Sequence, residues 1–151
     1  MHRYFMIFTA LLLLFPVSLV LAEEAPQEAR HELMEGVRDA AKPVGEMLKG
    51  ERVFNAAVAM ESFQTWSEAA AIVGDLFPEG SETGYDTEAR ATIWTDREGF
   101  NAILLAFGEA VDAAIAANPQ DLEALETAAG PVFKACKDCH EGYRVEEEDD
   151  D

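Results

Sequence analysis

Two cysteines and a histidine near the end of the 151-residue chain stand in the spacing Cys136-x-x-Cys139-His140. In a helix these side chains share one face, because residues three and four positions apart are neighbours. Two thiols one turn apart can add to the two vinyl groups of a haem, while the adjacent imidazole binds the iron. The motif therefore predicts one covalently attached haem c, with thioether bonds at Cys136 and Cys139 and His140 as the proximal iron ligand.

Three other chemistries use a similar pair of cysteines. A thioredoxin-like redox site needs a preceding strand in a βαβ unit, and the sequence has no alternating strand pattern of useful length. A structural zinc site needs four ligands, and at most His31 adds to the three residues of the motif. A disulfide stays chemically open in an oxidising compartment. We favour haem attachment because the complete pentapeptide stands in a chain that begins with an export signal, described below.

The residue on the other side of the iron decides the function of such a site. His140 lies eleven residues before the C-terminus and Met34 eleven residues after Glu23, so antiparallel first and last helices bring them to one level. We predict Met34 as the distal ligand, since thioether sulfur is an established haem ligand. In the alternative, Met34 only packs over the haem and leaves the sixth position open. His31, one turn earlier, is a weaker candidate.

Two further methionines are interpreted as core residues. Met47 lies about 20 Å further along the helix axis than Met34, at roughly 1.5 Å per residue, which is beyond reach of the iron. Met60 lies near the middle of the second predicted helix, too deep in the bundle. Flexible thioether side chains of this kind commonly fill gaps in a core.

Four helical segments must position these residues. Apolar residues recur at spacings of three and four in residues 26–49, in 51–77, in a third segment that begins at Asp86 or Thr87, and from Asp121 through the cysteine motif. Pro43 lies inside the first segment and predicts either a kink or a shorter helix. Four amphipathic helices with mostly short connections predict an all-α fold, an antiparallel up-down-up-down four-helix bundle with the haem near one end.

The first 22 residues have the pattern of a secretory signal peptide, with Arg3, an apolar run and small residues that end at Ala22. We predict cleavage after Ala22; an uncleaved membrane anchor is the alternative. No later stretch approaches the roughly 20 consecutive apolar residues that span a bilayer. We therefore expect a soluble periplasmic protein with one bundle domain over residues 23–145 and an acidic disordered tail over residues 146–151.

The chain is strongly acidic, with a formal net charge of −19 that becomes −20 when Arg3 leaves with the leader. A field of this sign repels nucleic acid and anionic membranes, and it speeds encounter with basic partners at low salt. Acidity also maintains solubility by itself, so it does not identify a partner. We expect redox partner proteins with basic docking surfaces, and no binding to nucleic acid or membrane.

Several motifs resemble those of the class II cytochromes c, the family that includes cytochrome c prime and cytochrome c-556. The resemblance covers nearly all of residues 26–145. It rests on Cys136-x-x-Cys139-His140-x-x-Tyr143-Arg144, on Leu76-Phe77-Pro78, on Ile93-Trp94 and on Arg30-x-x-x-Met34. It implies a four-helix bundle with haem near one end, frequently a homodimer through the first two helices, in a bacterial periplasm.

The resemblance also implies roles for individual residues. Met34 matches the distal position, and Arg30 and Arg144 become candidates for contacts with the haem edge or its propionates. A cation at Arg144 would raise the reduction potential by disfavouring the oxidised iron. The alternative for Arg144 is a charge partner at the helix end.

Two functions follow from the two roles of Met34. With its sulfur bonded, the protein is predicted to be a one-electron carrier with low-spin His/Met haem, and not an enzyme. With its sulfur free, it is predicted to be a five-coordinate protein that binds nitric oxide or another small gas. The residues around Met34 resemble the c-556 branch, which favours the carrier. A catalytic haem protein is the weakest alternative, because only His31 and Arg30 are available as distal polar groups.

Overall fold

The computed structural model describes residues 25–145, so the predicted signal peptide and the predicted acidic tail lie outside the described residues. Five helices follow one another, and Val73–Leu76 adds a short 3₁₀ helix after the second: α1 Pro26–Leu48, α2 Ala56–Ile72, α3 Thr92–Thr95, α4 Arg97–Ala117 and α5 Leu122–Tyr143. The four long helices form a bundle in which α1 packs on α2, α2 on α4, and α4 on α5. The predicted all-α four-helix bundle is confirmed.

Helix α1 begins at Pro26, whose ring fixes the backbone in a helical conformation and whose missing N–H is not needed there. The helix runs past Pro43 to Leu48, so the alternative of a shorter helix is wrong. Gly50 follows with a φ of +76°, a left-handed conformation that glycine adopts without strain. It ends the first segment, as predicted.

The predicted start of α2 was too early. Residues 51–55 are a connection, and the helix begins after Asn55, whose side-chain oxygen accepts a hydrogen bond from the Val58 N–H at 3.2 Å. The connection folds back on α1, since the Arg52 guanidinium lies 2.8 Å from the Glu46 carboxylate. Apolar spacing alone did not locate this boundary because Val53 and Phe54 continue the pattern into the turn.

The predicted start of the third segment at Asp86 or Thr87 was also wrong. Tyr85 and Asp86 both have a φ of +52°, which a right-handed helix does not contain. The long helix α4 starts only after Asp96, whose carboxylate accepts a hydrogen bond from the Gly99 N–H at 3.1 Å. The irregular segment therefore covers residues 77–90 and extends past the predicted helix start at Asp86 or Thr87.

Helix α5 begins as predicted. The Asp121 carboxylate accepts a hydrogen bond from the Ala124 N–H at 2.8 Å and so caps the helix. The helix then continues past Pro131 to Tyr143 and carries the cysteine motif in its last two turns.

Two apolar clusters hold the bundle together. The larger one lies between the four long helices and includes the fully buried Phe63, Trp66 and Leu125. The smaller one is centred on Phe100, whose ring lies 5.0 Å from that of Phe77 and 5.2 Å from that of Tyr143. This second cluster attaches the end of α5, where the cysteine motif ends, to the start of α4.

Helix α4 is long and apolar enough, by length and composition, to cross a membrane, contrary to the expectation that no stretch after the leader approaches such a span. It packs between α2 and α5 and buries Phe100, Val111 and Ala114. These three residues belong to the two apolar clusters, so α4 is a bundle helix in this structure.

Candidate haem site

A cavity of about 810 Å³ lies between the N-terminal half of α1, the C-terminal end of α5 and residues 85–89. Its volume is in the range of sites for cofactor-sized ligands, roughly 300–1,000 Å³. Five apolar side chains contribute to its wall: Val73, Phe77, Ile93, Phe100 and Leu104. An apolar pocket with a few polar groups suits a porphyrin.

The cysteine motif reaches this cavity from α5. Cys139 and His140 line the cavity, and Cys136 lies one turn earlier, half-buried and outside the lining. Three residues turn a helix by about 300°, so the two cysteine side chains diverge by about 60° around its axis. Both are free thiols, and burial raises the pKa of both, that of Cys139 to about 11. They are therefore neutral thiols at pH 7.

His140 presents a neutral imidazole. Burial and the nearby Arg144 guanidinium lower its pKa, and the Glu88 carboxylate opposes them. At pH 7 the ring is therefore deprotonated and keeps a nitrogen lone pair, which binding to iron requires. The structure gives His140 the protonation state that the predicted ligand role needs.

Met34 lines the same cavity from α1, and its residue surface is 37% exposed. His31 also lines the cavity one turn earlier, with a 78% exposed side chain that lies 3.8 Å from the Glu35 carboxylate. The structure thus brings the predicted distal residue and the predicted proximal residue to one cavity from two different helices.

Met47 and Met60 are core residues, as predicted. Met47 is fully buried in the larger cluster, and its sulfur accepts a hydrogen bond from the Asn55 N–H at 3.2 Å. Met60 is half-buried and packs against the same cluster. Neither lines the cavity.

Arg30 lines the cavity too, but its guanidinium has other partners than those predicted. Its two terminal nitrogens donate hydrogen bonds at 2.9–3.0 Å to the Leu76 and Ser81 carbonyls and to the Ser81 and Thr87 hydroxyls. All four terminal N–H groups are thereby used, and only the Nε–H is left for another acceptor. The residue is 6% exposed, and its charge lies 4.7 Å from the centre of the Phe77 ring. In this structure Arg30 holds protein groups where we had predicted contacts with a haem edge or propionate.

Arg144 lies at the end of α5 beside the cavity. Its guanidinium is 3.3 Å from the Glu88 carboxylate, and both side chains are about half-exposed, at 46% and 47%. The backbone on either side is paired as well, since Val145 donates a hydrogen bond to the Glu88 carbonyl at 2.7 Å. The contact with Glu88 is a helix-end charge pair, the alternative that the sequence left open.

Sequence reasoning missed the link between Tyr143 and Asp96. The Tyr143 hydroxyl donates a hydrogen bond to the Asp96 carboxylate at 3.0 Å, and the same carboxylate caps α4. Burial and the Asp96 carboxylate raise the pKa of Tyr143. Tyr143 lines the cavity one turn after His140, so this bond fixes the end of the haem-bearing helix. No local signal in the sequence indicated this bond, because Asp96 and Tyr143 are 47 residues apart.

The alternatives for the cysteine pair find little support in residues 25–145. No group of three or more His, Cys, Asp or Glu side chains there is arranged to hold a metal ion. The two thiols are not joined to each other. A neutral imidazole, two thiols on adjacent turns and an apolar cavity are instead the groups that covalent haem attachment needs. The residues present fit haem c.

A four-helix bundle with this motif on its last helix defines a haem-carrying class of proteins. The family model described as Cytochrome C' matches residues 25–144, and the chain belongs to this family. It is a c-type cytochrome of class II that carries one covalent haem c, as the sequence predicted.

Relatives in two branches of the family are similar to this chain. Cytochrome c′ of Rhodopseudomonas palustris is 33% identical over 116 residues, which cover 77% of this chain and 79% of the relative. Cytochrome c-556 of Agrobacterium fabrum is 32% identical over 118 residues, which cover 78% and 80%. The solved structure of cytochrome c′ from Rhodopseudomonas palustris has a TM-score of 0.80 at 30% identity, covering 83% of this chain and all of that one. The chain is about equally identical to these relatives from the two branches, so sequence identity does not distinguish between the two coordinations of the iron.

Proposed function

We propose that this cytochrome is a one-electron carrier whose iron is held by His140 and Met34, and that it is not an enzyme. The observation that carries the proposal is the convergence of these two residues on one cavity from α5 and α1. Among the cavity-lining residues of the described chain, Met34 is the only methionine. A thioether from one side and an imidazole from the other give the coordination that is typical of electron-carrying cytochromes.

The protein part of the mechanism is to hold both ligands still. When bound, haem c supplies an iron that exchanges one electron. His140 offers a neutral nitrogen from the last turns of α5, and that end is anchored by Tyr143 and by the backbone pairing at Val145. Met34 lies on a helix whose other half packs in the larger cluster through Val44 and Met47. Because both helices are fixed by packing, little rearrangement should accompany a change in charge.

The visible spectrum of the oxidised holoprotein tests the coordination. A far-red sulfur-to-iron charge-transfer band is expected in the wild type, because it arises only when methionine is bound. Met34→Ala should abolish the band and open the site to carbon monoxide in the reduced protein. Met60→Ala is the matched control, since it removes a methionine that packs in the core away from the cavity. Rapid, stoichiometric binding of carbon monoxide by the wild type at neutral pH would contradict the proposal.

A second candidate function is a five-coordinate haem protein that binds nitric oxide or another small gas. The 37% exposure of Met34 favours it, because a partly exposed side chain is less firmly held than a packed one. This candidate predicts a wild-type spectrum without the far-red band and a Met34→Ala variant that binds carbon monoxide no faster than the wild type.

We also propose that the carrier meets partners with basic docking surfaces at the cavity mouth. Four exposed carboxylates border the cavity: Glu28, Glu32, Asp86 and Glu88. Electron transfer to a basic partner should therefore slow as ionic strength rises. Glu32→Lys should reduce that salt dependence, and Asp112→Lys, on the exposed side of α4, is the control. An identical salt dependence in both variants would place docking elsewhere.

Export to the periplasm belongs to the same proposal. We propose that residues 1–22 are removed, that the bundle domain comprises residues 23–145 and that residues 146–151 are a disordered acidic tail. A homodimer through α1 and α2 is proposed as well. N-terminal sequencing of the holoprotein should begin at Glu23, and sedimentation should show the mass of a dimer. A start at Met1 would contradict cleavage.

A further inference from the structure

Residues 77–90, here called the rim segment, border the haem cavity between its two ligand-bearing helices. Phe77, Tyr85 and Thr87 line the cavity from this segment. The segment contains no helix of its own, and Tyr85 and Asp86 have left-handed backbone conformations that such residues rarely adopt. A strained, irregular segment keeps its shape only when its surroundings impose it. Its contacts therefore decide the shape of this side of the cavity.

The contacts with α1 are made mostly by Arg30. Its terminal nitrogens bind the Ser81 carbonyl and hydroxyl and the Thr87 hydroxyl, in addition to the Leu76 carbonyl. Ser81 is 3% exposed, so this is a buried junction. Gln27, one turn before Arg30, adds a hydrogen bond to the Thr83 carbonyl at 2.8 Å. The middle of the rim segment is thus bound to the helix that carries Met34.

The end of the rim segment is bound to α5. The Arg90 N–H donates to the Tyr143 carbonyl at 2.9 Å, and the Val145 N–H donates to the Glu88 carbonyl at 2.7 Å. The Arg90 guanidinium also donates to the Glu141 carbonyl at 3.0 Å. Glu141, Tyr143 and Val145 directly follow His140 in the chain. One segment therefore connects the wall that carries Met34 with the wall that carries His140.

We infer that Arg30 is a positioning residue that couples α1 to α5 through the rim segment and so holds Met34 at its place relative to His140. Four hydrogen bonds in a planar fork define an orientation, which a single charge does not. Only the spectroscopic consequence of this inference rests on the proposed His/Met coordination. The coupling of the two walls is a property of the protein contacts and can be measured separately.

Arg30→Gln and Arg30→Lys in the holoprotein test the inference. Hydrogen exchange of the Arg90 and Val145 amides should accelerate by about tenfold or more in both variants, the factor that corresponds to losing one hydrogen bond. Lysine keeps the positive charge but lacks the planar guanidinium and its four hydrogen bonds, so Arg30→Lys should accelerate exchange almost as much as Arg30→Gln. A role of the charge alone predicts that lysine behaves as wild type. Arg38→Gln is the matched control, because Arg38 is an exposed α1 residue whose ion pairs within residues 25–145 are those with Glu35 and Asp39.

A substitution in the rim segment tests the same coupling in case the Arg30 variants do not fold. Thr87→Val keeps the side-chain shape and removes one acceptor of Arg30, together with the acceptor of the Ala89 N–H at 3.3 Å. It should accelerate the same two amides while exchange in the core of α2, at Phe63, stays unchanged. Wild-type exchange of Arg90 and Val145 in Thr87→Val and in every Arg30 variant that folds would overturn the inference.

The far-red band and the rate of carbon monoxide binding distinguish a failure of the Arg30 inference from a failure of the proposed His/Met coordination. If the wild type shows the far-red band, Arg30→Gln should weaken it and speed carbon monoxide binding by about tenfold or more, as one lost hydrogen bond implies. A band and a binding rate equal to those of the wild type, despite faster amide exchange, would overturn the claim that Arg30 holds Met34. If the wild type lacks the band, the His/Met proposal fails, and amide exchange alone then decides the coupling.

Discussion

Gly99 occupies a position where even one methyl group should disrupt the anchor of the haem-bearing helix. A Cβ built on Gly99 would lie within 2.3 Å of the Asp96 carboxylate and 2.7 Å of the Tyr143 hydroxyl. Both distances are far shorter than van der Waals contact. Gly99→Ala therefore forces the carboxylate and the hydroxyl to move, although both hold α5 to the start of α4.

The expected loss in the free energy of unfolding is about 2 kcal/mol. Losing the Asp96 cap costs about 1 kcal/mol. Weakening the hydrogen bond from Tyr143 to a carboxylate costs roughly 1.5–3 kcal/mol. Alanine returns up to about 1 kcal/mol through its better helix propensity. The steric and hydrogen-bonding losses therefore exceed the gain.

A second glycine provides a control with the opposite sign. Gly36 lies inside α1, and a Cβ there would meet nothing within 4 Å. Gly36→Ala should therefore stabilise the protein by about 0.5–1 kcal/mol through helix propensity alone. Urea unfolding of the holoproteins, followed by far-ultraviolet circular dichroism, measures both changes. A Gly99→Ala protein as stable as the wild type would refute the reasoning, because it would mean that a Cβ at position 99 does not disturb Asp96 and Tyr143.

Three further predictions concern the same bundle. Tyr143→Phe should remove a pH dependence: the raised pKa of Tyr143 adds stability that is complete below its ordinary value of 10.0 and is lost as pH rises through the raised value. Denaturant titrations at pH 8 to 11 should show a shallower decline in the variant, and parallel declines would contradict the assignment. Arg144→Gln should lower the reduction potential and Glu88→Gln should raise it, each on the order of 20–40 mV, the one-electron equivalent of about 0.5–1 kcal/mol for a half-exposed charge. Shifts of the same sign in a redox titration would argue against an electrostatic effect. Leu125→Ala, at a fully buried core position, should lower the free energy of unfolding by about 2–5 kcal/mol. Leu105→Ala, at a 65% exposed position, should change it by less than about 0.5 kcal/mol, and equal losses in urea would contradict the packing.

The sequence predicted a helix start correctly where the start depends on residues that are close together in the chain. The start of α5 at Asp121 was predicted correctly, and the Asp121 carboxylate satisfies a backbone donor three residues away. The starts of α2 and α4 were predicted wrongly because apolar spacing alone does not mark where a helix begins. Near Val53, apolar spacing continued into a turn, and near Asp86 left-handed residues replaced the expected first turn. Spacing reports which face is apolar, and it does not report where the backbone leaves the helix.

The sequence alone determined the cofactor chemistry of this cytochrome, because Cys136, Cys139 and His140 lie within one helical turn and a half of each other. Their relation needs no other part of the chain. The role of Arg30 was decided only by the tertiary structure, since its acceptors lie 46 to 57 residues away. Nothing near Arg30 in the sequence distinguishes a guanidinium that binds carbonyl groups from one that binds a propionate. Only folding brings α1, the rim segment and α5 together, and the positions of Met34 and His140 around one cavity follow from that assembly.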